Sequence, residues 1–429
     1  IGFAGKQGWG FGPSALLIGV GNALVGALAA WAILAKRTRR MTQNLDTMTM
    51  PEFLEARYQS EHIKMISAVI IFIFLLPYSA SIFKGLGHLF ESTFHISFDF
   101  ALIILVVITG IYLVLGGYFA VTVTSFIQGI IMLVGAVIMI CVLVYKAGGL
   151  TEAITTVNTN YPEHVPVAQQ PSWLTIASLI FMTSVGSWGL PQMVQKFYAI
   201  KNEKVIPKAA IITTIFALVI GITAYGSGIL SHVFFDNNTV PKMANGGVNY
   251  DQIMPNLLAI KLPEALLAII MLLILSASMS SLASLVLVSA SSITVDLYKG
   301  YLKKDVDEKT SLIIMRSLSV LFIFATYLIS KLQLGFIVTM QSLSWGVLSG
   351  AFLAPYVFAI YSKKVTKAAA YAGIYSGAGT AIILTMALGA ANSALAASIA
   401  IIVPFIVVPI VSAFTPKVDA NVIEKAFKK

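Results

Sequence analysis

The chain has 429 residues, 58% hydrophobic and 11% charged, with a formal net charge of +10 and a mean hydropathy of +0.88. A soluble domain carries about 25% charged residues, so this composition cannot clothe a water-facing surface and excludes a soluble enzyme, a disordered chain and a disulfide-rich secreted module. The 28 Lys and Arg lie in short gaps between apolar runs rather than on one face, which points to a bilayer and away from nucleic acid.

In chain order, residues 1–12 start at Ile1 rather than Met. They are glycine-rich, too short to span, and read as the tail of a helix whose body lies upstream. A bilayer core about 30 Å thick needs about 20 apolar residues per helix. Such runs recur at 14–36, 65–90, 98–117, 120–146, 172–197, 207–235, 264–296, 311–330, 335–361, 367–389 and 393–414, eleven in all. The fold class they predict is an all-α polytopic membrane protein. After the first run, Thr49 followed by Pro51 and Glu52 predicts a cap, an N1 proline and a first-turn acid for a short interfacial helix. Segments 148–171 and 236–263, polar with Pro and Gly-Gly turns, predict long water-exposed loops. Counted over alternate gaps, the 28 Lys and Arg divide 22 to 6. The rich side is read as cytoplasmic, which puts the C-terminus inside the cell and the two long segments outside.

Catalytic patterns are absent: no HExxH, CxxC or Walker motif occurs, and His62, His88, His95, His164 and His232 fall in loops or at helix ends. No fully buried acid is expected, since Glu264 and Asp296 mark the two ends of one run. The lone Cys141 allows no intrachain disulfide.

The densest polar feature runs from Leu275 to Ser284. There Ala277, Ser280 and Ser281 stand at i, i+3 and i+4, so the Ala277 carbonyl and two hydroxyls point to one patch. Neutral oxygens of that kind can replace the water shell of sodium without burying a net charge; a small-residue packing face is the alternative. A second feature, Thr183 to Gln192, holds Gly186, Gly189 and Pro191, which break a helix within the bilayer. Broken helices line transporter cavities, although a packed kink would read the same. A third, Gln341 to Gly346, suits hydrogen bonding between helices.

These stretches resemble the sodium:solute symporter family. The resemblance is carried by Gly2-Phe3-Ala4-Gly5, Met50 to Tyr58, Gly116 to Val121, Gly189-Leu190-Pro191-Gln192, and Met279-Ser280-Ser281 through Asp296-Leu297-Tyr298. It implies a single transporter domain over 1–429 with a leucine-transporter-type core of two inverted five-helix repeats. Repeat one runs to about 147 and repeat two over about 172–361; 367–414 are peripheral helices and 415–429 a cytoplasmic tail. It also implies that the chain is N-terminally truncated, starting just past the break of the first core helix, and would not transport alone.

By resemblance the sodium ligands are the Ala277 carbonyl and the Ser280 and Ser281 hydroxyls. The substrate contacts are Thr183, Ser187 and Pro191, with Trp188 as a gate. The implied activity is sodium-coupled symport of a small organic solute by one chain in the cell membrane, with an amino acid, pantothenate or another small carboxylate favoured. A sodium-coupled sugar carrier and the sensor domain of a signalling protein are the alternatives. Many members carry an Asp where this chain has Ser125 and a hydroxyl where it has Ala283, so a single sodium per solute is expected.

Overall fold

The computed structural model describes residues 2–302, 307–332 and 335–428, apart from the side chains of 114–122 and 301–302. Among the described residues nine helices are long and apolar enough to cross a bilayer, and a bent pair makes a tenth. The shorter apolar helix Phe98–Leu113 occupies the remaining expected span.

The first path, α1 (Gly2–Leu45), corrects the expected separation of 1–12 from 14–36. It tightens to a 3-10 turn at Gly12–Ala15, where Gly12 takes a φ of 53° and Pro13 offers no N–H, and then continues. Further along it widens at Asn22–Ala29 and Trp31–Ala35. Next, α2 (Met50–Tyr58) starts with the expected capping box: Glu52 N donates to Thr49 Oγ1 at 3.2 Å and Thr49 N to Glu52 Oε2 at 3.2 Å. The long α3 (Glu61–Phe94) contains Pro77.

The helical run Phe98–Lys146 is not straight, and two apolar helices are distinguished along it, α4 (Phe98–Leu113) and α5 (Val123–Lys146). Tyr112 Oη and Thr124 Oγ1 are 2.5 Å apart, whereas twelve residues of straight helix cover about 18 Å. Two spans were expected here; the side chains of Gly116 to Val121, which lie between them, are outside the described residues.

Both long polar segments prove partly helical, with α6 (Leu150–His164) in one and α10 (Ile253–Lys261) in the other. The expected break is present: α7 (Trp173–Ser184), a 3-10 turn at Gly186–Gly189, and α8 (Pro191–Tyr198), bent by 47°. Then follow α9 (Ile206–Phe234), α11 (Glu264–Ser291), α12 (Glu308–Lys331) and α13 (Ile337–Tyr361). Last come α14 (Lys367–Leu388), α15 (Ser393–Phe414) and α16 (Ala420–Ala426).

The central post is α13, with 83% of its apolar window buried against 6% for that of α9. Small residues let helices approach closely. A Cβ on Gly377 of α14 would overlap the Gly350 carbonyl of α13, and one on Gly8 of α1 would overlap the backbone of α9 at Gly228.

Two acids are buried after all, Asp251 and Asp296. Asp296 accepts from Thr49 Oγ1 at 2.6 Å, and Asp251 pairs with Lys84 Nζ at 2.8 Å. Each is covered by an element remote in sequence, which position along a single run could not reveal.

Candidate functional site

A cavity of about 230 Å³ lies where α1, α3, α11 and α13 meet. On α11, Ala277 and Ser281 are one turn apart and both line it. Ser280 does not: it is rotated by about 100° from Ser281, and its hydroxyl donates to Ser125 Oγ on α5 at 3.2 Å. The single patch expected from spacing is therefore divided between two neighbours, with Ser284 Oγ donating to the Ser280 carbonyl at 3.2 Å behind it.

The four residues expected to touch substrate line a different place. The Thr183 hydroxyl donates to Leu179 O at 2.7 Å, and Ser187 Oγ to Ser184 O at 2.7 Å. Trp188 Nε1 donates to Val25 O at 3.1 Å, in the widened part of α1, where the altered hydrogen-bond ladder leaves a carbonyl to accept it. Pro191 is buried as the first residue of α8. The bend is held from outside: Ser349 of α13 donates to the Gly186 carbonyl, and Ser184 Oγ to Asn22 Oδ1 at 3.0 Å. A backbone freed by Gly and Pro in an apolar setting must find partners, and here protein supplies them. The contacts of this break are those of a packed kink, and none of its four candidates borders the cavity beside Ala277 and Ser281.

The polar side chains that do border it are Tyr78, Ser81, Ser278, Ser281 and Gln341. Tyr78 and Ser81 follow Pro77, and that proline inside an apolar run was the available signal for them. Gln341 belongs to the stretch read as a helix-interface motif. One part of the stretch does serve that role, since Ser344 Oγ donates to Phe74 O at 2.5 Å.

No charged side chain lines the cavity among the described residues. Charge stands just outside it. Lys84 Nζ donates to Gly335 O at 2.7 Å besides pairing with Asp251, whose Oδ2 also accepts from Ile337 N at 3.3 Å. Gly85 and Ile337, next to these groups, are cavity walls.

A second, larger cavity of about 890 Å³ opens at the Lys/Arg-rich end, bordered by Arg39, Gln43, Thr49, Gln195, Tyr198 and Ser291. The bent helix thus contributes its second half, α8, to this polar vestibule.

The profile of the sodium:solute symporter family matches residues 1–377. A sodium/proline symporter of Staphylococcus aureus is 31% identical over 379 residues, 86% of this chain and 71% of that protein. Sodium/proline symporter 2 of Staphylococcus saprophyticus is 30% identical over 384 residues, 87% of this chain and 72% of that one. In structure, the chain is similar to a sodium-coupled sialic acid symporter in a substrate-bound, outward-open state. The TM-score is 0.77 at 17% sequence identity, covering 97% of this chain and 87% of the other.

Proposed function

Because the chain belongs to the sodium:solute symporter family, with its leucine-transporter-type fold and sodium-coupled symport of a small solute, we propose that its solute is a small amino acid or other small carboxylate. The observation that carries this reading is the uncharged cavity beside Ala277 and Ser281. A carboxylate in such a place needs a counter-charge, and sodium at the Ala277 carbonyl and Ser281 hydroxyl would supply it. Ser280 would join that shell by turning from Ser125. Walls such as Phe3, Ile82, Leu86 and Ile274 suit a hydrocarbon body, and the sodium/proline carriers among the relatives handle a solute of that kind.

In this reading the solute is moved without chemical change by one chain acting as the transport unit in the cell membrane, with its C-terminal tail in the cytoplasm. Residues up to about 147 and 172–361 form the two repeats whose relative motion exposes the cavity alternately. The polar vestibule bordered by Gln195 and Tyr198 is the route to the cytoplasm. Thr183, Ser187, Trp188 and Pro191 act through the bend rather than by touching the solute.

Sodium-gradient-driven uptake by the full-length protein in proteoliposomes, across a panel of amino acids, small carboxylates and sugars, tests this. A sodium-dependent signal confined to zwitterions or carboxylates is expected. Sodium-driven uptake of sugars alone would overturn the solute class, and uptake without trans-stimulated exchange would mark a channel instead of a carrier.

A further inference from the structure

Where α1 and α13 end, a cavity of about 410 Å³ opens between the basic turn of α1, the last turn of α13 and the segment after α16. Half of its lining is cationic: Lys36, Arg37, Arg40 and Lys428. No acid lines it among the described residues. Glu203 pairs with Lys36 at 3.4 Å and Arg40 at 2.9 Å, and among the described residues no other carboxylate is paired with the four cations. Arg37 lies 4.2 Å over the ring of Tyr361, with no carboxylate partner among the described residues, and so is held in place while its charge stays unmatched.

The remaining walls are apolar, with Met41, Ile360 and Phe427 among them. Phe427 is held between Arg57 and Lys363 at 5.6 and 5.5 Å. Arg57 is fully buried, and its Nη1 has no hydrogen-bond partner. The segment after α16 is fastened here, since Asn44 Nδ2 donates to the carbonyls of Ala426 at 3.2 Å and Lys428 at 2.8 Å.

We propose that this cavity binds the phosphodiester headgroup of an anionic phospholipid. Arg37 and Lys428 would meet the phosphate, and Lys36 and Arg40 would turn to it from Glu203. Any phosphate ester would find the same charges; the position favours the lipid. The cavity sits at the ends of two membrane-spanning helices, and the apolar surface beside it is exposed at Ile33 (39%) and Tyr361 (40%), where an acyl chain can lie. Basic pockets at such helix ends are suited to lipid headgroups. The site is separate from the solute cavity and does not depend on which solute is carried.

The protein purified in a neutral detergent, incubated with phosphatidylglycerol or phosphatidylcholine and read by native mass spectrometry, tests this. Phosphatidylglycerol should be retained in preference. Arg37→Gln with Lys428→Gln should lower its retention at least about five-fold, the effect of one surface cation, while leaving phosphatidylcholine unchanged. Glu203→Gln should raise retention, because it frees two cations, an outcome that damage to the fold would not produce. Equal retention of the two lipids, or an unaltered preference in all variants, would overturn the site. Displacement of phosphatidylglycerol by an equal concentration of glycerol 3-phosphate would overturn the lipid as its ligand.

Discussion

Ser280 and Ser281 are adjacent in sequence and serve different neighbours. Ser281 borders the cavity, while the Ser280 hydroxyl is already bonded to Ser125. A lost ligand to a desolvated cation costs more than about 1.4 kcal/mol, a factor of ten in affinity. In the full-length protein, Ser281→Ala should therefore raise the sodium concentration for half-maximal uptake at least about tenfold. Ser280→Ala should raise it less, since that hydroxyl must first leave its partner. If uptake keeps its sodium dependence in both variants, the serines are packing residues. The contact between Ser280 and Ser125 also bears on stoichiometry. It places a neutral hydroxyl where a second cation would need an anion, and Ala283, fully buried nearby, adds no hydroxyl. An uncompensated charge in that interior would cost several kcal/mol. Reversal potentials at set sodium and solute gradients should give one sodium per solute; a two-ion slope would contradict this, and Ser125→Asp with Ala283→Ser is the gain-of-site control.

Helix α6 is bound to the membrane-spanning helices by an imidazole pair. His164 Nδ1 and His232 Nδ1 are 2.9 Å apart, His232 Nε2 lies 2.9 Å from the Trp9 carbonyl, and both rings stack with Trp9. A carbonyl can only accept, so His232 Nε2 carries a proton, and the bond between the rings needs one bare Nδ1. Burial holds His164 below the ordinary histidine range, against the opposing pull of Asp236 and Glu163. A base whose pKa is depressed on folding binds fewer protons folded than unfolded. Its stabilisation is therefore present above the ordinary histidine pKa of about 6.5 and fades as the pH falls below it. Thermal unfolding in detergent should shift to lower temperature between about pH 7.5 and pH 5.5. His164→Phe, which keeps a ring against Trp9, should flatten that dependence; an unchanged slope would assign it to other groups.

Across the whole molecule, the 22 to 6 division of Lys and Arg predicts the orientation. Asn158 on α6 and Asn245 in the segment before α10 are both exposed at the lysine-poor end. Cysteines placed there should react with an impermeant thiol reagent on intact cells, after the exposed native Cys141 is replaced by Ser. Labelling only after permeabilisation would invert the topology.

Most of the apolar helices, the capping box at Thr49 and Glu52 and the break between Ser184 and Pro191 were legible in the residues themselves. Apolar transfer over some twenty positions, a side chain reaching its own turn and the restrictions of Gly and Pro all act over short stretches of chain. The family, too, was legible from short motifs in order. What the tertiary structure decided is how each helix is rotated about its own axis and what faces it. That rotation separates Ser280 from Ser281 and brings Tyr78, Ser81 and Gln341 to one cavity. It also leaves Thr183 and Ser187 bonded within their own bend. Asp296 is covered by Thr49 from 247 positions away, and His232 meets His164 across 68. Helix rotation is set by ridges, grooves and glycine contacts such as Gly350 with Gly377, and these exist only once two helices are side by side.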